Sequence, residues 1–139
     1  MRPTPSQTVG PFFSFGLCTQ PPRELGTVPL RGRVLDGNGN PIPDAMVEIW
    51  HPDLGWARCG TNGDGEYAFT IERVPFLSVQ IFARGLLKQL YTRLFFEADE
   101  LLESLPDEDR ATVQAQPDGE GYRFDIHLQG DRQTAFFAV

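Results

Sequence analysis

Five side chains could do acid–base or metal chemistry if the fold brought them together: His51, His127, Tyr67, Tyr91 and Tyr122, the only histidines and tyrosines of the 139-residue chain. Imidazole and phenol are general acids and bases and also metal donors. His51 stands just past a strand end beside Trp50, and His127 lies mid-strand on a polar face, so both read as surface residues. Tyr67 and Tyr122 fall on apolar faces, where core packing with the hydroxyl reaching the rim accounts for them. A metal site made of the five would need the two histidines to meet from distant parts of the chain, and none is expected. No Ser-His-Asp arrangement, Cys-x-x-Cys pair or phosphate-cradling glycine loop is present. Arg84, in the sequence FARG, has two readings: a solvated turn residue, or a guanidinium whose five donors fork onto a carboxylate.

The elements that must position these groups are strands. Eleven phenylalanines, fourteen glycines and twelve prolines suit a β-rich domain with many turns. A net charge of −7 and a pI near 4.7 argue against nucleic-acid or anionic-membrane partners and leave small molecules and proteins. Met1-Arg2-Pro3 opens no apolar run, so a cytoplasmic setting is expected, in which Cys18 and Cys59 stay reduced.

Two prolines and a glycine in TPSQTVGPFF forbid a helix, yet the stretch ends in Phe12 and Phe13, each worth roughly 1.5–3 kcal/mol if buried. Residues 1–29 therefore read as an arm and linker that pack against something, and residues 30–139 as the folded domain. In LRGRVLDGNGNPIPDAMVEIW, Leu30, Gly32 and Val34 alternate with Arg31 and Arg33, and Ala45, Val47 and Ile49 with Met46, Glu48 and Trp50. The DGNGNPIPD between them is turn chemistry. TNGDGE feeds a strand with Tyr67, Phe69 and Ile71 on one face. SVQIFARGLLKQLYTRLFF reads as two strands hinged near Arg84-Gly85, because glycine inside a helix costs about 1 kcal/mol.

DELLESLPDEDRATVQAQ is the one helical segment. Pro106 divides it into two short pieces expected to lie over a sheet edge. The last alternation puts Tyr122, Phe124, Ile126 and Leu128 inward and Arg123, Asp125, His127 and Gln129 outward, and a strand from Thr134 to Phe137 closes the chain. Short strands with turn signals indicate an all-β, antiparallel β-sandwich with one short helical segment.

TPSQTVGPFF, GWARCGTNGDGEYAF, FARGLLKQLYTRLFF and YRFDIHLQGDRQTAFF, with the GRVLDGNGNPIPDA stretch, together resemble the α subunits of protocatechuate 3,4-dioxygenase among the intradiol ring-cleavage dioxygenases. The resemblance implies a hetero-oligomer whose homologous β subunit holds a non-haem Fe(III) through two tyrosines and a His-x-His pair. Protocatechuate and O2 would be its substrates, with cleavage between the two hydroxylated carbons. In this chain the strand matching that pair reads VPFLSVQIF, so Phe76 and Ser78 stand where the imidazoles would be. Neither can replace an imidazole as a ligand.

The resemblance therefore implies no metal ligands and no catalytic residue on this chain. It assigns substrate-binding positions to Thr8, Gly10 and Pro11 of an arm that reaches across to β, and to Arg84 near the carboxylate of the substrate. The loops after Trp50 and Ile71 are shorter than the family's usual hairpins, so contacts made by those loops are expected to change. A second reading, from a different class, is a free-standing transthyretin-like binding module without enzymatic activity.

Overall fold

In the computed structural model, which describes residues 24–83, 86 and 88–137, the alternating runs fold as strands. Their order is β1 (Val28–Leu35), β2 (Met46–His51), β3 (Gly55–Gly60), β4 (Glu66–Ile71), β5 (Phe76–Phe82) and β6 (Leu90–Phe95). Two short helices follow, α1 (Glu100–Ser104) and α2 (Asp107–Ala111), then β7 (Gln116–Asp118), β8 (Gly121–Arg123) and β9 (Ile126–His127). One sheet runs β4-β1-β8-β7 with β9 also paired to β1, and the other runs β3-β2-β5-β6. No helix among the described residues is long and apolar enough to cross a membrane.

The period of two decides what lies between the sheets. Leu30, Val34, Tyr67, Phe69 and Ile71 from one sheet meet Val47, Ile49, Leu77, Val79, Ile81 and Leu94 from the other in a single buried core, as the alternation predicts. Asp36 and Asn62 organise the two β-turn loops by the same device. Asp36 Oδ1 accepts from the Asn38 and Asn40 amides at 2.8 and 2.9 Å, and Asn62 Oδ1 from those of Asp64 and Glu66 at 2.9 Å each.

The helical segment divides at Pro106 as expected. Asp99 caps α1 by accepting from the Leu101 amide at 2.8 Å. Beyond α2 the chain returns to the edge of β6, where the Phe95 amide donates to Val113 O at 2.8 Å and the Ala115 amide to Phe95 O at 2.9 Å. Leu102, Val113 and Phe95 form a second, smaller core there.

Three expectations change. The sheets are antiparallel except that β8 and β9 run parallel to β1, with Leu30 opposite Tyr122 and Val34 opposite Ile126. Residues 36–120, which include the other sheet and both helices, supply the long connection that parallel pairing requires. Between β8 and β9 the ladder breaks at Phe124-Asp125, because the Phe124 carbonyl turns in over Gly32. A Cβ built on Gly32 would meet Phe124 O at 1.8 Å, so only glycine admits this approach.

The segment from Thr134 to Phe137 is not a strand. Its ladder is reduced to one bridge, from the Phe137 amide to Tyr91 O at 2.8 Å. Threonine side chains replace the rest. Thr92 Oγ1 donates to Ala135 O at 2.7 Å, Thr112 Oγ1 accepts from the Ala135 amide at 2.9 Å, and Thr134 Oγ1 accepts from the His127 amide at 2.9 Å. Hydroxyls thus satisfy the backbone groups that a neighbouring strand would otherwise pair.

His51 is the third correction, for it is buried, at 8% exposure. It is the last residue of β2, and its ring meets Phe76 edge-on at 5.8 Å. Its Nδ1 accepts from the Asp53 amide at 3.1 Å.

Candidate functional site

The positions expected to touch substrate, Thr8, Gly10, Pro11 and Arg84, lie outside the described residues, as do Phe12, Phe13 and Cys18. Phe76 and Ser78 are described, and they define the site. Leu77, Val79 and Ile81 of β5 enter the core, so Phe76, Ser78 and Gln80 point from the opposite face of the four-stranded sheet. The register sets Phe76 opposite Phe95, Ser78 opposite Arg93, and Gln80 opposite Tyr91 on β6. On the other side, β2 sets Trp50 opposite Ser78 and Glu48 opposite Gln80.

This face is a cluster of aromatic rings, hydroxyls and one guanidinium. The Arg93 guanidinium carbon lies 4.4 Å from the centroid of the Phe76 ring, a cation–π contact. Its Nε donates to the Tyr91 hydroxyl at 3.4 Å, and Ser78 Oγ stands 3.3 Å from the same hydroxyl. Burial pushes the Tyr91 phenol up. The hydrogen bonds to Ser78 and Arg93, with the Arg93 charge, outweigh that, so the phenol titrates below its ordinary value.

These residues do not fit a ferric centre. A benzene ring offers no donor pair, the serine oxygen is already engaged with Tyr91, and a fixed guanidinium lies where a metal cation would be repelled. Among the described residues no group of three or more His, Cys, Asp or Glu is placed to hold a metal ion.

The other tyrosines behave differently. Tyr67 is 3% exposed, and its hydroxyl donates to Phe124 O inside the core rather than reaching the rim. Burial, then the charges of Asp125 and Cys59, hold its proton well above the usual range. Tyr122 packs its ring edge-on against Phe96 at 4.9 Å. Cys59 is buried in the core, with Sγ 3.2 Å from Gly60 O.

Sequence reasoning missed the Tyr91–Arg93 side of the cluster. A usable signal was there: once LYTRLF is paired with FLSVQIF, the period of two puts Tyr91, Arg93 and Phe95 on the face of Ser78 and Phe76. The connections after β2 and β4 are short. Gly55, at φ 92°, closes the turn from β2 into β3, and residues 72–75 join β4 to β5.

No family model matches the sequence. The protocatechuate 3,4-dioxygenase alpha chain of Burkholderia cepacia is 33% identical over 194 aligned positions that take in 100% of this chain and 98% of the relative. The alignment exceeds the 139 residues of this chain, so parts of the relative have no counterpart here. The alpha chain of the same name from Pseudomonas putida is 27% identical, over 96% of this chain and 95% of its own length. Among solved structures, the dioxygenase domain of a dioxygenase carbohydrate-binding protein fusion from Streptomyces sp. SirexAA-E superposes with a TM-score of 0.57 at 19% identity. It covers 78% of this chain and 87% of that one, a likeness of fold alone. With a full-length relative at this identity, and with the sandwich the sequence had led us to expect, the chain belongs to the protocatechuate 3,4-dioxygenase alpha-chain family.

Proposed function

We propose that this chain is the non-catalytic subunit of a cytoplasmic intradiol dioxygenase that cleaves protocatechuate with O2, and that it helps wall a pocket whose Fe(III) is held by a homologous β subunit. The full-length relation to an alpha chain carries the reading. The chemistry of Phe76 and Ser78 supports it, since neither supplies the nitrogen donors that a His-x-His pair would. Residues 1–29 would form the arm, with Thr8, Gly10 and Pro11 approaching the substrate, and residues 30–139 the domain that anchors it. Arg84 follows β5 in the sequence, and its guanidinium would steer or hold the carboxylate of the substrate.

Co-expression with a homologous chain that carries His-x-His tests the assembly. A burgundy complex with ring-cleaving activity is the expected product. A lone chain that cleaves protocatechuate by itself, or a pair that never associates, overturns the reading. In the assembled enzyme, Arg84→Ala should raise KM for protocatechuate and erode selectivity over catechol, and unchanged values remove Arg84 from the pocket. Deletion of residues 1–13 should weaken substrate binding or assembly, and full retention of both sinks the role of the arm.

A further inference from the structure

Among the described residues, Arg93 is a partly buried arginine that holds no carboxylate. Elsewhere in the sheets the ion pairs close: Arg58 lies 3.6 Å from Glu48, and Arg123 lies 3.1 Å from Asp125. Arg93 has only the Phe76 ring beneath it and the Tyr91 hydroxyl at Nε, with no carboxylate within ion-pair distance among the described residues. Among the described residues no contact occupies its terminal amino groups, and the ring and phenol fix their direction. In a chain of net charge −7, such a cation is conspicuous.

Three kinds of donor converge here. Ser78 Oγ and Arg93 Nε both reach the Tyr91 hydroxyl, at 3.3 and 3.4 Å, the long end of the hydrogen-bond range, so each can turn toward a better acceptor. The body of a ligand would meet an aromatic surface. Trp50 pairs directly with Ser78 across β2 and β5 and is 49% exposed, an unusual position for so large an apolar ring. Adjacent strands are about 4.8 Å apart, so the row Trp50–Ser78–Arg93 spans about 10 Å, room for one ring and its carboxylate. Glu48, in the neighbouring row, is neutralised by Arg58 and does not repel an anion.

We propose that Arg93, Ser78 and Tyr91 form a carboxylate-binding site for a small planar aromatic acid, whose ring lies against Trp50. A single guanidinium selects a monoanion, and the exposed indole selects a ring over an aliphatic acid. Its named residues all stand on β2, β5 and β6 of this chain.

Benzoate is the probe. Titrated into the full chain and followed by tryptophan emission, it should bind saturably, and both acetate, which lacks the ring, and phenol, which lacks the carboxylate, should bind at least about tenfold more weakly. Arg93→Met should weaken benzoate about tenfold or more with the melting temperature unchanged, and Arg93→Lys should recover part of the loss, as a point charge without the fork. A second signal separates binding from mere structural support: bound carboxylate should shift the Tyr91 ionisation to higher pH in the wild type and not in Arg93→Met. The absence of saturable benzoate binding, or equal binding by Arg93→Met, overturns the proposal. So does an Arg93→Met chain that binds benzoate normally but fails to co-purify with the homologous chain, which would make this face a protein interface instead.

Discussion

Tyr67 and Tyr91 are the same side chain put to opposite uses. Tyr67 belongs to the five-stranded sheet and is sealed in the core, its hydroxyl given to the Phe124 carbonyl and its proton held tightly. Tyr91 belongs to the outer face of the four-stranded sheet, where a cation and a hydroxyl loosen its proton. The first spends its polarity joining β4 to the break between β8 and β9. The second keeps its polarity open to a ligand. The contrast teaches that a tyrosine between the sheets is a structural group, whereas one on the outer face, beyond the small core around Phe95, keeps its hydroxyl available.

The largest expected effect breaks the Tyr67 side. Gly32→Ala would drive a methyl group into Phe124 O, 1.8 Å from the ideal Cβ position, and into the Tyr67 hydroxyl 2.8 Å away. A loss of about 3 kcal/mol or more, or failure to fold, is expected in urea denaturation. A wild-type midpoint would mean that the carbonyl does not turn in over Gly32. Tyr67→Phe comes next, because it strands the buried carbonyl, at a cost of about 1–3 kcal/mol. Tyr91→Phe should change stability by no more than about 0.5 kcal/mol, since its hydrogen bonds are long and partly solvated. A larger loss would place Tyr91 among the structural groups and remove the contrast.

The smallest effects are in pH, and their signs are opposite. Above the ordinary phenol value of 10.0, the unfolded chain releases the Tyr67 proton while the folded chain retains it. The unfolded state then binds fewer protons, and the Tyr67 contribution to stability falls as pH rises. For Tyr91 the folded state releases its proton first, below that value, so stability gains with rising pH in the window just under it. Spectrophotometric titration of the wild type beside Tyr91→Phe should show the earliest phenolate disappearing in the variant. If the earliest step persists, another tyrosine is the loosened one.

Much of this was readable from local pattern. Leu30-Gly32-Val34 and Tyr67-Phe69-Ile71 became strands with the expected faces, and the two runs on either side of Arg84-Gly85 became strands, because a period of two is imposed by the backbone and needs no knowledge of neighbours. Pro106 divided the helices for an equally local reason. What escaped was pairwise. The parallel placement of β8 and β9 depends on the route of the whole chain between them and β1, and the burial of His51 depends on the Phe76 ring that packs against it. The candidate site was half legible. Phe76 and Ser78 stood out only through the family resemblance, and Arg93 and Tyr91 joined them only through the β5–β6 register, which no single run contains.

The threonine-fastened end of the chain has a kinetic corollary. Thr92 and Ala135 are 43 residues apart, and the stretch between them includes both helices and three strands. Closing so wide a circuit for a few hydroxyl bonds is entropically unrewarding until everything inside it has taken shape. This segment should therefore dock last during refolding and detach first under stress, exchanging its amide hydrogens ahead of the core.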